Sequence, residues 1–410
     1  MTAINDDSVA QLRRRIGFTA TSQLTGKYPF NLVSTTDGFR HFANGYGDDN
    51  PLWCDPLYAA SGSYGRCIAP PTFIATMGQP VGPPPPDDVR RDSAGALAGV
   101  QAFQGGGKWE FHRPLTEGHR VLTANVVSEV EDKTSSFGGG RSVIVHHRQV
   151  WWLDDPDIPA ADAALATYRT WYINTDRSSS RRSGGENQRA EAHSWSKEEI
   201  AAIDAEYATQ QTRGGLPRAA GDVAVGDTID TLVKGPLTVT DLISFHIGWG
   251  WSGQGTFSSR LSWKHRRARP HLWPRDPNGV PDTSQRGHWD ASFAGKVGTA
   301  RAYDYGFLRT CWFAHTVTSW MGDDAWLWKL EDRIDSFNYV GDATWVRGSV
   351  AEVGESEPGS VGITLTASNQ DDLVTASGGA TVLLPGADGQ PPKRPAPPAD
   401  VVDVIEQCRT

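Results

Sequence analysis

Apolar positions along this chain follow two periods, and the two periods occur in the same order twice. Within 36–46, Phe39, Phe42, Ala43 and Tyr46 recur three and four residues apart, which places them on one face of a helix. Three runs follow at 120–130, 142–152 and 164–174. They are rich in Val, Ile, Thr and aromatic residues, the composition of strands. Helical spacing returns at 240–247, and β-rich runs follow at 343–353, 360–367 and 373–384. One helix and then a meander of strands in each half predicts an α+β fold. Three stretches punctuate this order: 82–88 with four consecutive prolines, the Ser, Arg and Gly-rich 178–188, and the Pro- and Gly-rich 386–400. The spacing predicts one more helix over 196–208, where Ser196 and Glu199 form the S-x-x-E of a capping box. The expected division is 1–177, a linker with a short helix at 178–220, a second half at 221–386, and a Pro-rich tail at 387–410.

The halves also share short sequence. Trp53-Cys-Asp55-Pro-Leu-Tyr58-Ala59 aligns without a gap on His288-Trp-Asp290-Ala-Ser-Phe293-Ala294. Further on, Gly118 and Gly341 each stand just before a predicted strand. Two matches in one order point to an internal duplication. Counted through the predicted helices instead, Phe42 pairs with Phe245 and Asp48 with Trp251. The second half therefore carries an insertion of roughly 250–286, with several Trp and a basic run at 264–267.

Composition narrows the function classes. The 410 residues carry a formal charge of −9, against a dedicated nucleic-acid binder. Four scattered cysteines and no CxxC give neither a disulfide scaffold nor a zinc motif. The start of the chain, Met1 to Arg15, is polar, and no apolar run approaches the roughly 18 residues of a membrane helix. Both observations lead to the expectation of a cytoplasmic protein without a membrane span. Sixteen Trp is many, and serves either a core or an apolar pocket.

The run from Phe42 through Gly47-Asp48-Asp-Asn50-Pro51-Leu-Trp53-Cys-Asp55 to Ala59, then Gly65-Arg-Cys-Ile-Ala-Pro70-Pro71, resembles the signature of the MaoC-like hydratases and dehydratases. Arg113-Pro-Leu-Thr-Glu-Gly118 resembles the segment that opens that family's strand, and 226–238 looks like the start of a second such domain. His288-Trp-Asp290 to Tyr303-Asp304-Tyr305-Gly306 is similar to its active-site loop. The resemblance implies a double hotdog, two long helices each wrapped by an antiparallel sheet. It also implies hydration of enoyl thioesters of coenzyme A or carrier protein, or the reverse dehydration. Two alternatives stay open: a tailoring dehydratase or cyclase of a complex natural product or xenobiotic, and a non-catalytic hotdog that only binds.

Adding water to a conjugated thioester needs a base for the water and an acid for the α-carbon, which one carboxylate and one imidazole can supply. The thioester oxygen gathers charge and needs a facing N–H. In the family an Asp and a His five positions later share a loop. The first half keeps Asp48 but has Trp53 at the His position, and an indole only donates. The second half has His288 there, with no Asp five positions before it. The second half is therefore expected to hold the site and the first half to bind substrate and act as scaffold. The expected catalytic residues are His288 with Asp282, Asp304 or Asp48. The expected oxyanion and substrate-binding residues are Gly306, Tyr303, Arg309 and Trp251. For Asp282 and Asp290 the plain alternative is a turn residue, for Asp48 loop bracing, and for Arg309 a surface salt bridge. The 264–269 run could meet substrate phosphates, with a solvated loop as the plain alternative. Gly105-Gly-Gly-Lys108 lacks a phosphate-loop frame and precedes a strand-like segment. No metal and no separate cofactor are expected, coenzyme A or pantetheine being part of the substrate. The expected partner is a small acyl thioester, with no nucleic acid or membrane, and a homodimer is one assembly considered.

Overall fold

A computed structural model describes residues 4–20, 29–97, 100–135, 140–176, 191–250, 257–297, 299–386 and 389–409. Trp251 and residues 178–190 of the linker lie outside them.

Ten strands form one sheet: β1 (Gln79–Pro80), β2 (Val100–Phe111), β3 (Val121–Ser135), β4 (Gly140–Leu153), β5 (Ala164–Asp176), β6 (Thr228–Lys234), β7 (Trp326–Ile334), β8 (Thr344–Val353), β9 (Ser360–Asn369) and β10 (Val374–Leu383). Their order is β1-β3-β4-β5-β2-β7-β10-β9-β8-β6. β3-β4-β5-β2 and its mirror β8-β9-β10-β7 are two antiparallel units, joined where β2 pairs with β7. At that joint Lys108 lies 2.9 Å from Glu331, and Trp326 donates through Nε1 to the Phe111 carbonyl. The six expected strand runs all form strands. β1, β2, β6 and β7 were not expected, and Gly105–Gly107 lie inside β2 rather than before a strand. A bulge sits there. A Cβ on Gly105 would be 2.3 Å from the Trp171 indole, and one on Gly107 2.3 Å from the Tyr168 ring. The glycines let two rings lie flat on the strand.

The duplication is visible in hydrogen bonds. Ile68 bridges Thr116, and at the equivalent positions of the second half Tyr303 bridges Tyr339. The Ala69 N–H reaches the Leu115 carbonyl as the Asp304 N–H reaches that of Asn338. The first crossing helix, Thr36–Gly45, is capped by Thr35, and the second, Val239–Trp249, by Thr238. The two helices meet at Gly45 and Gly248, which are equivalent positions when Thr35 is aligned on Thr238.

The helices under the two sheets differ. The second half holds a core helix, Gly306–Met321, with nearly every residue buried. It was not expected from the sequence because it is buried on all sides, polar residues such as Arg309 and His315 included, and so shows no single apolar stripe. In the first half the equivalent segment is only a 3₁₀ helix, Pro71–Thr76, after which the chain leaves into β1. The expectation of two long wrapped helices therefore holds for one half.

Two further expectations are corrected. The basic run lies in a helix, Ser259–Ala268, rather than a loop. The tail is not merely Pro-rich: it ends in a helix, Ala399–Arg409, that buries Val401 and Ile405. There Asp400 meets Arg148 at 2.8 Å, and Arg409 donates to the carbonyls of Ile158 and Asp155. The linker helix, Lys197–Thr209, has the expected Ser196–Glu199 capping box. No helix among the described residues is long and apolar enough to cross a membrane.

Candidate active site

Gly306 is the first residue of the core helix. The first N–H groups of a helix lack intrahelical acceptors and carry partial positive charge, so this end favours a developing oxyanion. The side-chain amide of Gln104, from β2, lies over it: a Cβ on Gly306 would be 3.0 Å from Gln104 Oε1. Gln104 Nε2 donates to the Tyr168 hydroxyl at 3.0 Å.

His288 ends a short 3₁₀ helix, Ser284–His288, whose shape is set by Thr283 accepting from the Gln285 N–H and by buried Arg286 lying over the Phe293 ring. Its Nδ1 is 2.8 Å from the Tyr303 carbonyl oxygen. A carbonyl only accepts, so Nδ1 carries the proton and Nε2 is the basic nitrogen. The ring stacks on Tyr305 with centroids 3.8 Å apart. Burial lowers the imidazole pKa to about 4, opposed by hydrogen bonds to the backbone of Tyr303 and Asp304. The Tyr305 hydroxyl is 2.8 Å from Nδ1 of buried His246, and the Tyr305 ring also meets Trp249 and Phe245. His246 and Tyr305 were not among the expected site residues. Both were visible only as a helical His and as the residue before Gly306.

The structure does not bring an expected carboxylate to His288. Asp282 is half exposed, accepts from the Thr283 N–H and faces Arg286 at 3.7 Å. Asp290 accepts from the N–H groups of Ser292 and Phe293, a capping role. Asp304 is buried and held by Arg309, whose Nη2 and Nε each lie 3.0 Å from its oxygens, and by Asn338 Nδ2 at 3.1 Å. Burial raises its pKa to about 6, against the pull of Arg309. Arg309 is thus no surface residue. It also donates to the carbonyls of Ser336 and Thr375, and so locks the loop below Gly306. Tyr303 supplies its carbonyl to His288 and its ring to Phe337.

Asp48 sits elsewhere, buried in the first half's loop. The Tyr46 hydroxyl donates to one carboxylate oxygen and the Asn50 N–H to the other. Nε2 of His315, from the core helix, is 3.5 Å away. Lys234 Nζ is 2.9 Å from the other nitrogen of His315, Nδ1, and donates to the carbonyls of Tyr46 and Gly47. Burial raises Asp48 to about 6 and lowers Lys234 to about 8. His315 and Lys234 were missed, because only folding brings β6 and the core helix to this loop.

The pseudo-symmetric counterpart of the His288 site contains Trp53, 2% exposed, and a cavity of about 40 Å³ bounded by Ile68, Pro70, Phe111 and Trp326. A larger cavity, about 130 Å³, opens on β2–β5; His288 does not line it, but Phe307, which follows Gly306, and Trp249, whose ring meets Tyr305, do. Gln104, Tyr168, Trp249 and Phe307 form its wall nearest Gly306. It occupies the space left because the first half's helix stops at Thr76: Ala75, Met77 and Gly78 line it. A group able to hold a metal lies far from this site. Glu129, Glu131 and His146 bring ligand atoms within 4.8 Å of one another on β3 and β4, but Lys133 already meets Glu131 at 2.5 Å.

Residues 30–155 match the model of the FAS1-like dehydratase domain region. A solved structure named "MaoC-like dehydratase" superposes with a TM-score of 0.59 at 16% identity, over 91% of this chain and 100% of that one. The chain has the double-hotdog fold. Among curated proteins, a "UPF0336 protein" of Thermobifida fusca is 32% identical over 97 residues, 22% of this chain and 58% of that protein. One of Streptomyces avermitilis is 30% identical over 93 residues, 22% of this chain and 59% of that protein. The chain thus spans about three fifths of the length of these relatives.

Proposed function

We propose that this MaoC-like chain is a hydro-lyase that adds water to, or removes it from, an acyl thioester of coenzyme A or a carrier protein. The observation that carries the reading is His288. It is neutral, its tautomer is set by Tyr303, and it stacks on the residue that precedes the core helix, whose second residue, Phe307, lines the larger cavity. With the thioester oxygen at the helix N-terminus, loss of the α-proton puts negative charge on that oxygen, where the Gly306 end of the helix stabilises it. Nε2 of His288 accepts the α-proton and returns it to the departing β-hydroxyl, which leaves as water. Hydration runs the same transfers in reverse. One imidazole thus performs both proton transfers that the resemblance divides between Asp and His. A second reading, a hotdog that binds an acyl group without turning it over, is favoured by the placement of Asp282 and Asp304 in structural contacts away from His288.

Steady-state kinetics on short enoyl and 3-hydroxyacyl thioesters decides. His288→Ala and His288→Gln should each lower kcat by on the order of 10²–10⁴ with the melting profile kept. A folded variant that keeps more than about a tenth of kcat falls below the smallest effect of a general acid/base and removes the assignment. Wild type inert on every thioester supports the binding reading. The base form is the neutral ring, and burial lowers its pKa from 6.5 to about 4. The acid limb of kcat/KM should therefore fall through about pH 4 rather than 6.5.

A further inference from the structure

We propose that the helix Ser259–Ala268 binds the phosphorylated adenosine end of coenzyme A, with the Trp263 indole against the adenine and Arg260, Lys264 and Arg267 around the phosphates. This rests on the hydro-lyase reading for an acyl thioester, and adds that the thioester is one of coenzyme A rather than of a carrier protein.

Position comes first. The second half's insertion leaves the crossing helix at Trp249 and returns at His288, and both ends are fixed on Tyr305, the residue before Gly306. The Trp249 ring lies 5.7 Å from the Tyr305 ring, and His288 stacks on it at 3.8 Å. His246 and Trp289, just outside the two ends, bring their rings to 5.9 Å. The insertion is therefore closed at its base, beside the helix end that receives the thioester oxygen. Its returning arm folds back on that base: the Asp282 N–H reaches the Pro274 carbonyl, and Arg286 Nη2 donates to the Arg275 carbonyl at 3.2 Å. The helix Ser259–Ala268 is held to this arm where Trp273 Nε1 donates to Nδ1 of buried His265 at 2.9 Å. An arm that leaves a thioester at Gly306 on the His288 side passes along this insertion.

The outer face of the helix has one chemistry. Arg260, Trp263 and Arg267, spaced three and four apart, lie on the side away from His265, with Lys264 beside them, and all four are exposed. The Arg267 guanidinium stands 5.2 Å from the Trp263 ring centroid, and the indole is still 40% exposed. With Arg266 and Arg269, the stretch 260–269 holds five cations and no acid, in a chain of formal charge −9. The next acids along the chain are committed elsewhere. Asp276 accepts from the N–H groups of Asn278 and Val280, and Asp282 faces Arg286. Among the described residues no carboxylate pairs with any of the five cations. Arg260–Lys264 and Lys264–Arg267 are like charges at i,i+4 and i,i+3, which oppose a helix. Arg260 also stands in the first turn, where the helix dipole is already positive. A bound polyanion relieves both. The indole narrows the choice. Guanidinium groups take phosphate oxygens in pairs, and an aromatic face flanked by cations stacks a base. A phosphorylated adenosine uses both features, whereas an acidic protein surface answers only the cations.

The test is calorimetric titration of the full-length protein with coenzyme A, its 3′-dephospho form, pantetheine and adenosine 3′,5′-bisphosphate, none of which is turned over. Coenzyme A and the bisphosphate should bind, the dephospho form more weakly, and pantetheine most weakly of all. Binding should weaken as salt rises. The triple variant Arg260→Gln, Lys264→Gln, Arg267→Gln should weaken coenzyme A by at least roughly tenfold and leave pantetheine unchanged. Trp263→Leu should weaken the bisphosphate as well. Lys197→Gln, an exposed cation on the linker helix, controls for net charge and should change nothing. Melting curves show that each variant is folded. No binding of coenzyme A or the bisphosphate, equal binding of coenzyme A and pantetheine, or unchanged affinity in the folded triple variant overturns the proposal. So does a triple variant that loses turnover only of a crotonyl thioester on an acyl carrier protein, which assigns the helix to a carrier. Helix-dependent binding of coenzyme A in a protein that turns over no thioester upholds this site and removes the hydro-lyase reading instead.

Discussion

Lys234 is 7% exposed, an unusual place for an ammonium group, and its hydrogen bonds explain why it stays. It belongs to the second half, yet it holds two carbonyls of the first half's loop and faces His315 beside Asp48. Lys234→Met should leave those carbonyls and the carboxylate without a cation, and lower stability by about 3–5 kcal/mol in urea unfolding. Adding Asp48→Asn should recover part of that loss. If Lys234→Met were neutral, the cluster would have no stabilising role. Asp332 makes the opposite case. One of its oxygens accepts from Thr310, the other has no hydrogen-bond partner among the described residues, and burial raises its pKa to about 7. A carboxyl whose folded pKa lies above its unfolded 3.8 stabilises at low pH and loses that contribution as pH rises through 7. Asp332→Asn should therefore raise stability at pH 8 by roughly 1–3 kcal/mol, and the gain should vanish below pH 4. Melting curves at both pH values check the sign. At this scale His288 and Gly306 were legible, because a resemblance carries residue types in order along the chain. The Asp304–Arg309 pair and the partners of Asp48 were not, since a buried ion pair leaves no mark on local spacing.

The two crossing helices were legible in outline from apolar spacing, and so were six of the ten strands from β-rich composition. Their contact was not. A Cβ on Gly248 would lie 2.8 Å from the His41 carbonyl oxygen, and one on Gly45 3.1 Å from that of Ser244. His41 and Ser244 are themselves equivalent positions of the two helices, so the crossing is a symmetric pair of glycine-to-carbonyl contacts. Gly248→Ala must push the helices apart and should cost about 1–3 kcal/mol, as overpacking does. Gly45→Ala, with more room, should cost less. Equal and negligible losses in denaturant unfolding would show that the crossing tolerates a methyl group. The core helix shows why periodicity fails in the middle of a domain. A helix covered on every side has no solvent-facing side to mark with polar residues, and its buried polar residues answer to distant partners, so its amphipathic signal disappears.

Across the whole molecule, the pairing of β2 with β7 makes one sheet out of two repeats, and the C-terminal helix returns to the first half's strands after the second half is complete. Fragments 1–185 and 190–410 should each lose one side of the β2–β7 joint and expose apolar edge and helix surface, and so should aggregate or fail to melt cooperatively. Soluble, cooperatively melting, monomeric fragments would count against this. Trp53→His should not create a second active site. The cavity that Trp53 lines is about 40 Å³, against about 130 Å³ for the one on β2–β5, so the new imidazole would face no room for an acyl group. Activity of the His288→Ala, Trp53→His double variant, measured against His288→Ala, checks it.

Local sequence by itself determined the α+β alternation, the duplication, the capped start of the linker helix and the position of the imidazole along the chain, because each of these is a pattern among near neighbours or a repeat at fixed offset. Only tertiary structure decided that the carboxylates thought to assist His288 are committed to arginines and helix caps, and that Asp48 answers to groups from the other half. It also decided that a helix stopping at Thr76, soon after it begins, leaves a cavity lined in part by Gln104, Asn125 and Gln149. Those outcomes depend on which distant groups compete for the same buried hydrogen bonds and the same volume. That competition is settled by packing, where every interior polar atom needs a partner and every gap needs a side chain, and it has no period along the chain.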